Sequence, residues 1–316
     1  MSIISLSIVV PVYNEAGSIP EFSVRITQVL EDMSTRFSLL KEALEVVCVN
    51  DGSTDESLSL LLAQNQADPR FKVVNLSRNF GHQAALSAGI DVAKGEFVVV
   101  IDADLQDPPE TIPTLYETSL KGFDVVYAVR AKREGESWFK KVTAHLFYRL
   151  LRKLSPFPIP TNTGDFRLMS RRVVNVLKRM PERHRFIRGM VSFIGFPQIG
   201  VLYHRQPRSA GETSYTLVKM LRLAADAITS FSALPLRVTL YLGFGVAGLG
   251  FLYAFDILYE KLFKHTTLPG WSSLMVVVLT LGGAQLIFLG LIGEYLGRVH
   301  DESKQRPLYI IESETP

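Results

Sequence analysis

Two stretches near the C-terminus contain no charged side chain: residues 238–255, and residues 274–293 with only Thr280 and Gln285 as interruptions. As helices rising 1.5 Å per residue they would measure about 27 and about 30 Å, enough to cross a hydrocarbon core. A soluble hairpin of that length would need a very large cover, so the pair is read as a two-span membrane anchor. Arg237 precedes the first run, Asp256, Glu260, Lys261 and Lys264 follow it, and Glu294 and Arg298 close the second. Two crossings return the chain to its starting side, so the long segments before and after the anchor share one compartment. Residues 130–222 carry 20 Lys and Arg against 5 Asp and Glu. That excess places them on the cytoplasmic side, facing an anionic leaflet.

The remaining 250 or so of the 316 residues are enough for a sizeable core without covalent staples. Cys48 is the single cysteine, which excludes an internal disulfide and any cysteine-built metal cluster. Residues 2–10 are apolar and lack a basic flank, so they read as a first strand rather than a targeting segment. The first half then alternates. Strands are expected at residues 3–10, 45–50, 72–76, 96–101 and 124–129. Helices are expected at 20–37, after Asp51-Gly52-Ser53, at 80–93, and from Pro108 or Pro109 onward. Repeated strand–helix–strand units of this spacing predict an α/β fold with a mostly parallel sheet. The middle is less regular. It predicts an amphipathic basic helix at 138–154, a second amphipathic helix at 215–231, a short strand within 161–168, a helix at 171–180 and a strand at 200–204.

In such sheets functional groups gather at the carboxyl ends of strands. Three polar clusters fall there: Tyr13-Asn14-Glu15, Asp51-Gly52-Ser53 and Asp102-Ala103-Asp104. Two carboxylates two residues apart can hold Mg²⁺ or Mn²⁺ if the backbone turns as it leaves the strand, and such an ion would bridge to substrate phosphates. Asp51 is placed to hydrogen-bond a base or ribose. No glycine-rich dinucleotide fingerprint and no Walker motif occurs, so a phosphate would be held by a cation and basic side chains. His82 lies near the nucleotide side. No aromatic platform accompanies the basic segment, which argues against nucleic acid.

The order of several blocks carries a resemblance. Val9-Val10-Pro11-Val12-Tyr13-Asn14-Glu15, Val49-Asn50-Asp51-Gly52-Ser53-Thr54-Asp55 and Leu76-Ser77-Arg78-Asn79-Phe80-Gly81 come first. Asp102-Ala103-Asp104-Leu105-Gln106-Asp107-Pro108-Pro109, Asn162-Thr163-Gly164-Asp165-Phe166-Arg167-Leu168 and Gly293-Glu294-Tyr295-Leu296-Gly297-Arg298 follow. With the paired apolar runs, the chain resembles the inverting, family-2-type polyprenyl-phosphate glycosyltransferases with a GT-A fold. That group includes bactoprenol glucosyltransferases and dolichol-phosphate mannose synthases. The Gln-x-x-Arg-Trp block of processive polysaccharide synthases is absent.

The resemblance implies transfer of one hexose, glucose by preference, from a UDP-sugar to polyprenyl (undecaprenyl) phosphate with inversion. GDP-mannose or a modified UDP-sugar is the alternative donor, and diacylglycerol an alternative acceptor. A non-catalytic membrane scaffold is the alternative from another class. Implied roles are Pro11, Tyr13, Glu15, Asp51, Asp102, Gln106 and Asp107 around the nucleotide-sugar, Asp104 with Asp102 on the metal, and Arg130 near the phosphates. Asp165 corresponds to a proposed catalytic carboxylate, and Arg167, Arg205 and Arg208 would meet the acceptor phosphate. A phosphate monoester is mostly dianionic at pH 7 and scarcely needs a general base, so Asp165 is expected to position its neighbours. Implied domains are a catalytic unit at 1–213, an interfacial helix at 214–234, a two-span anchor at 235–297 in a bacterial inner membrane, and a cytoplasmic tail at 298–316. Glycines 243, 245, 248, 250, 282 and 283 would permit close helix contact, and so a homo-oligomer.

Overall fold

A computed structural model describes residues 4–131, 163–183, 185–204, 234–259, 263 and 270–315. The expected amphipathic helices at 138–154 and 215–231, and Arg205 and Arg208, lie outside the described residues. Two compact units are present. The first contains the described residues up to 204 together with 306–315; the second contains those of 234–305.

The first unit is built on one mixed sheet. Its strands are β1 (Leu6–Val12), β2 (Leu44–Asn50), β3 (Phe71–Leu76), β4 (Phe97–Val100), β5 (Val125–Arg130), β6 (Thr163–Ser170), β7 (Gln198–Tyr203) and β8 (Ile311–Glu314). Their order is β7-β5-β6-β4-β1-β2-β3-β8. Strands β3, β2, β1 and β4 run parallel, as does the pair β5 and β7, while β6 and β8 pair antiparallel with their neighbours. Helices α1 (Ile19–Phe37), α2 (Ser57–Ala67), α3 (His82–Val92), α4 (Ile112–Ser119), α5 (Arg171–Arg179) and α6 (Ile187–Ile194) connect them.

The side-chain period of 2 along β1 explains why its run is apolar throughout. Leu6, Ile8, Val10 and Val12 join a core with α1 and α4, while Val9 joins a second core with α3, α5 and α6. Both faces are therefore covered.

Strand β1 continues through Pro11 to Val12, beyond the expected end at residue 10. Val12 accepts from Asp51 N on the β2 side, whereas Val9 accepts from Ile101 N on the β4 side. Alternation directs the position-11 nitrogen toward β4, and the β1–β4 ladder ends at Val9 opposite Val100. The missing N–H thus falls where no ladder remains. It also marks where β4 departs and the sheet edge opens.

The second unit contains α7 (Leu234–Tyr259) and α8 (Trp271–Ser303). Among the described residues one helical stretch, Thr280–Ser303, is long and apolar enough to cross a membrane; Val238–Tyr253 is a shorter apolar stretch. The sequence expectation of two full spans thus meets one stretch of sufficient length. The segment expected as a tail at 298–316 carries regular structure. Residues up to Ser303 continue α8, and residues 311–314 form β8 on the β3 edge of the sheet of the first unit. Thr315 and Val73 exchange hydrogen bonds, Glu312 accepts from Asn75, and Tyr309 donates to Asp91.

Candidate active site

Three loops meet at the carboxyl ends of β1, β2 and β3. Asn14, in left-handed backbone (φ 54°), accepts from Thr54 N through Oδ1 at 2.8 Å and donates its own N–H to Ser53 Oγ at 3.1 Å. Glu15 N donates to Ser57 Oγ at 2.9 Å, and the Glu15 carboxylate accepts from Ser18 Oγ at 2.9 Å at the entry to α1. Tyr13 is exposed. Asp51 is buried, and its two oxygens accept from Phe80 N at 2.7 Å and Gly81 N at 2.9 Å. Those two amides keep the carboxylate partnered although burial raises its pKa. Asp51 therefore fixes the loop that leads into His82, in addition to any contact with a nucleotide.

Gly52 makes that lacing possible. Its φ is +63°, and a Cβ there would lie 2.4 Å from Arg78 C and 2.5 Å from Asn79 N. Gly52→Ala is expected to cost at least about 2 kcal/mol, combining left-handed strain with a clash against backbone. Thermal unfolding should fall by about 4–8 °C as the 78–81 loop shifts. An unchanged unfolding temperature would refute this account.

The second half of the site surrounds the end of β4 and the start of β6. Leu105, buried and in left-handed backbone (φ 58°), turns the chain after Asp104, whose Oδ1 accepts from Gln106 N at 3.1 Å. This is the turn that a carboxylate pair needs. Asp102 is about one-third exposed, yet its Oδ1 is buried without a hydrogen-bond partner, 3.6 Å from His82 Nε2. Burial, and the charges of Asp165, Asp107 and Asp104, push Asp102 up to about 6 against the opposing pull of His82.

Asp165, on β6, is 7% exposed and fully engaged. Oδ1 accepts from Arg188 Nε at 2.9 Å; Oδ2 lies 3.3 Å from His82 Nε2 and accepts from Gln83 Nε2 at 3.2 Å. Burial alone would raise its pKa. The His82 hydrogen bond and the charges of Arg188 and Arg167 outweigh burial and hold it well below the carboxylate range. His82 is raised instead: Asp165 and Asp102 overcome its burial.

Arg167, expected at the acceptor phosphate, is placed inward. It is 4% exposed, and its guanidinium donates to Gly164 O at 2.9 Å and Asp165 O at 3.2 Å. Beside it, Tyr203 donates its hydroxyl to buried Asp107 and accepts from Arg130 Nε at 3.3 Å. A Cβ on Gly164 would stand 3.0 Å from Arg130 Nη2, so glycine there leaves space for that guanidinium. Gln83, Arg188 and Tyr203 were not singled out by sequence reasoning. They arrive from α3, α6 and β7 through packing, and only the basic excess of residues 130–222 signalled an arginine in this region.

The sequence that carries these strand-end carboxylates matches a known family. Residues 7–177 match the model described as Glycosyl transferase family 2. The chain belongs to glycosyl transferase family 2. Residues 234–299 of this family 2 transferase match a second model, the GtrB C-terminal hairpin. The uncharacterized glycosyltransferase YkcC of Bacillus subtilis (strain 168) is 52% identical over 309 residues, covering 98% of this chain and 94% of that protein. The bactoprenol glucosyl transferase of Shigella phage SfV is 43% identical over 309 residues, covering 98% of each. The prophage bactoprenol glucosyl transferase homolog of Escherichia coli (strain K12) is 42% identical over 306 residues, covering 97% of this chain and 98% of that protein. Among solved structures, glucosyl-3-phosphoglycerate synthase from Mycobacterium tuberculosis with Mn²⁺, UDP and phosphoglyceric acid shares 20% identity. It has a TM-score of 0.46, over 71% of this chain and 76% of that one.

Within the transferase itself, the orphaned Asp102 Oδ1, facing the charges of three further carboxylates, fits a divalent cation, which would relieve both the unmet lone pairs and the crowding of negative charge. Among the described residues no group of three or more His, Cys, Asp or Glu is arranged to hold a metal. The protein would thus supply Asp102 and Asp104, and substrate phosphates and water would complete the shell.

Proposed function

We propose that this family 2 transferase moves glucose from UDP-glucose to a polyprenyl phosphate, with inversion, at the cytoplasmic face of a bacterial inner membrane. The observation that carries the reading is the end-to-end similarity to bactoprenol glucosyl transferases, through the catalytic unit and the apolar hairpin alike. In this reaction an acceptor phosphate oxygen bonds to the anomeric carbon as that carbon's bond to UDP breaks.

The electrostatics of Asp165 support a direct attack. An acceptor monoester with a second pKa near ~6 is already ionised, and a carboxylate held below its normal range is a poor base. Asp165 thus orients His82, Gln83 and Arg188 rather than removing a proton. Asp102 and Asp104 would hold Mg²⁺ or Mn²⁺. When bound, the ion neutralises charge on the departing diphosphate.

The membrane reading is supported by parity. Residues 311–314 hydrogen-bond to β3, so the segments before and after α7 and α8 lie on one side of any bilayer. The number of crossings between them is then even. With Thr280–Ser303 taken as one crossing, the other is assigned to α7, whose apolar stretch is Val238–Tyr253.

Purified full-length protein in mild detergent, with Mg²⁺ or Mn²⁺, tests the reading. Offered UDP-glucose, modified UDP-sugars and GDP-mannose with undecaprenyl phosphate, it should yield undecaprenyl-phosphate glucose by mass spectrometry. Chelation should stop the reaction. Transfer to diacylglycerol, or none to a prenyl phosphate, would overturn the proposal.

A further inference from the structure

Arg188 is held in place by described residues through two of its three guanidinium nitrogens. It lies in the first turn of α6. Its Nε donates to Asp165 Oδ1 at 2.9 Å and its Nη1 to Thr163 O at 3.0 Å. Both partners are on β6, two residues apart, so the planar guanidinium is fixed in angle as well as place. Its Nη2 makes no hydrogen bond to a described residue, and the side chain remains 29% exposed. Arg167 contrasts with it, being buried with its donors on two carbonyls.

The support for this geometry is redundant. Gln83 donates to the same carboxylate and accepts from Ile187 N at 3.0 Å, so one side chain ties the start of α6 to Asp165. His82 approaches Asp165 from the other oxygen and Asp102 beyond it. A continuous line therefore runs from Arg188 through Asp165 and His82 to the carboxylate that fits the cation. A helix-to-strand fastener would not need a charged fork with one edge open. That edge suits a tetrahedral anion, because a guanidinium already oriented by a carboxylate loses little freedom on donating to two more oxygens.

We propose that Arg188, positioned by Asp165, binds an oxygen of a substrate phosphate at the transfer site. The inference rests on the function proposed above and adds a residue to it. The phosphate belongs either to the acceptor monoester or to the donor diphosphate, and the experiment separates the two.

Full-length wild type, Arg188→Lys and Arg188→Gln are compared in detergent, with UDP-glucose and undecaprenyl phosphate varied independently and thermal unfolding followed in parallel. In Arg188→Gln the KM for one substrate should rise about 10- to 100-fold, the scale of a lost charge-assisted pair, with kcat less affected. Arg188→Lys, keeping charge but not the fork, should recover part of that loss. A rise confined to undecaprenyl phosphate assigns the acceptor; a rise confined to UDP-glucose, with weaker UDP binding by calorimetry, assigns the donor. Both KM values within twofold of wild type, with losses only in unfolding temperature or kcat, would overturn the proposal. If Arg188→Gln does not fold, the KM values of Arg188→Lys decide by the same criterion. A wild type inert with these substrates would defeat the functional reading alone. Arg188 would then be judged by calorimetry of UDP and of inorganic phosphate on wild type and Arg188→Lys: weaker binding of either upholds it, and equal binding of both refutes it.

Discussion

Replacing Asp102 and Asp104 together by alanine is expected to lower glucose transfer by about 1,000-fold or more, while leaving the cation-free protein at least as stable as wild type. The two effects have one origin. Asp102 carries a buried oxygen without a hydrogen-bond partner and faces the charges of Asp165, Asp107 and Asp104. That arrangement costs stability in the folded apoprotein and becomes favourable when a divalent cation and a diphosphate arrive. Loss of several kcal/mol of charge stabilisation at the leaving group corresponds to three or more decades in rate. Thermal unfolding supplies a readout separate from activity. Wild type should gain stability on addition of Mn²⁺ with UDP, since a ligand bound only by the folded state raises its stability. The double variant should gain little. Full transfer by the variant, or equal stabilisation by Mn²⁺ and UDP, would remove the carboxylate pair from its assigned place.

How far the sequence leads depends on what sets each feature. Strands β1 to β4 were legible because burial on both faces makes them continuous apolar runs, and the polar residues ending them mark the carboxyl edge. Asp51, Asp102 and Asp104 could be located that way. The direction of β6 could not. Its pairing between β4 and β5 is antiparallel to both, which is a property of topology rather than of local pattern. The same limit hid Gln83, Arg188 and Tyr203, whose partners lie 82, 23 and 96 residues away. Arg167 was misdirected for a related reason: β6 alternation turns it into the interior, where backbone carbonyls receive it. Strand β8 escaped because Tyr309-Ile310-Ile311 is too short to distinguish an edge strand from a tail. Its exposed residues take their order from β3 and from the bond between Tyr309 and Asp91.

Asp165→Asn is expected to destabilise the catalytic unit by about 3–5 kcal/mol, the cost of removing one partner from a buried charge network. The side chain keeps its volume but loses an acceptor. Arg188 approaches one oxygen while His82 and Gln83 approach the other, so an amide NH₂ must face a donor in either orientation. Buried Arg167 also loses its nearest countercharge; burial already lowers it to about 10 against the pull of Asp165. The pH dependence has a definite sign. The folded-state pKa of Asp165 lies below the unfolded value of about 4, so its contribution is complete above that value and is lost as pH falls toward the lowered one. Wild type should therefore lose stability more steeply than Asp165→Asn below about pH 4 in thermal unfolding; because Asp165 also raises His82, wild type should in addition lose more stability than the variant as pH rises through the histidine range. Kinetics then separate positioning from proton transfer. A positioning carboxylate predicts that the variant weakens substrate binding through Arg188, and that wild-type kcat shows no limb attributable to one carboxylate. Intact affinities for both substrates, abolished turnover and a single-proton limb in the carboxylate range would instead make Asp165 the base.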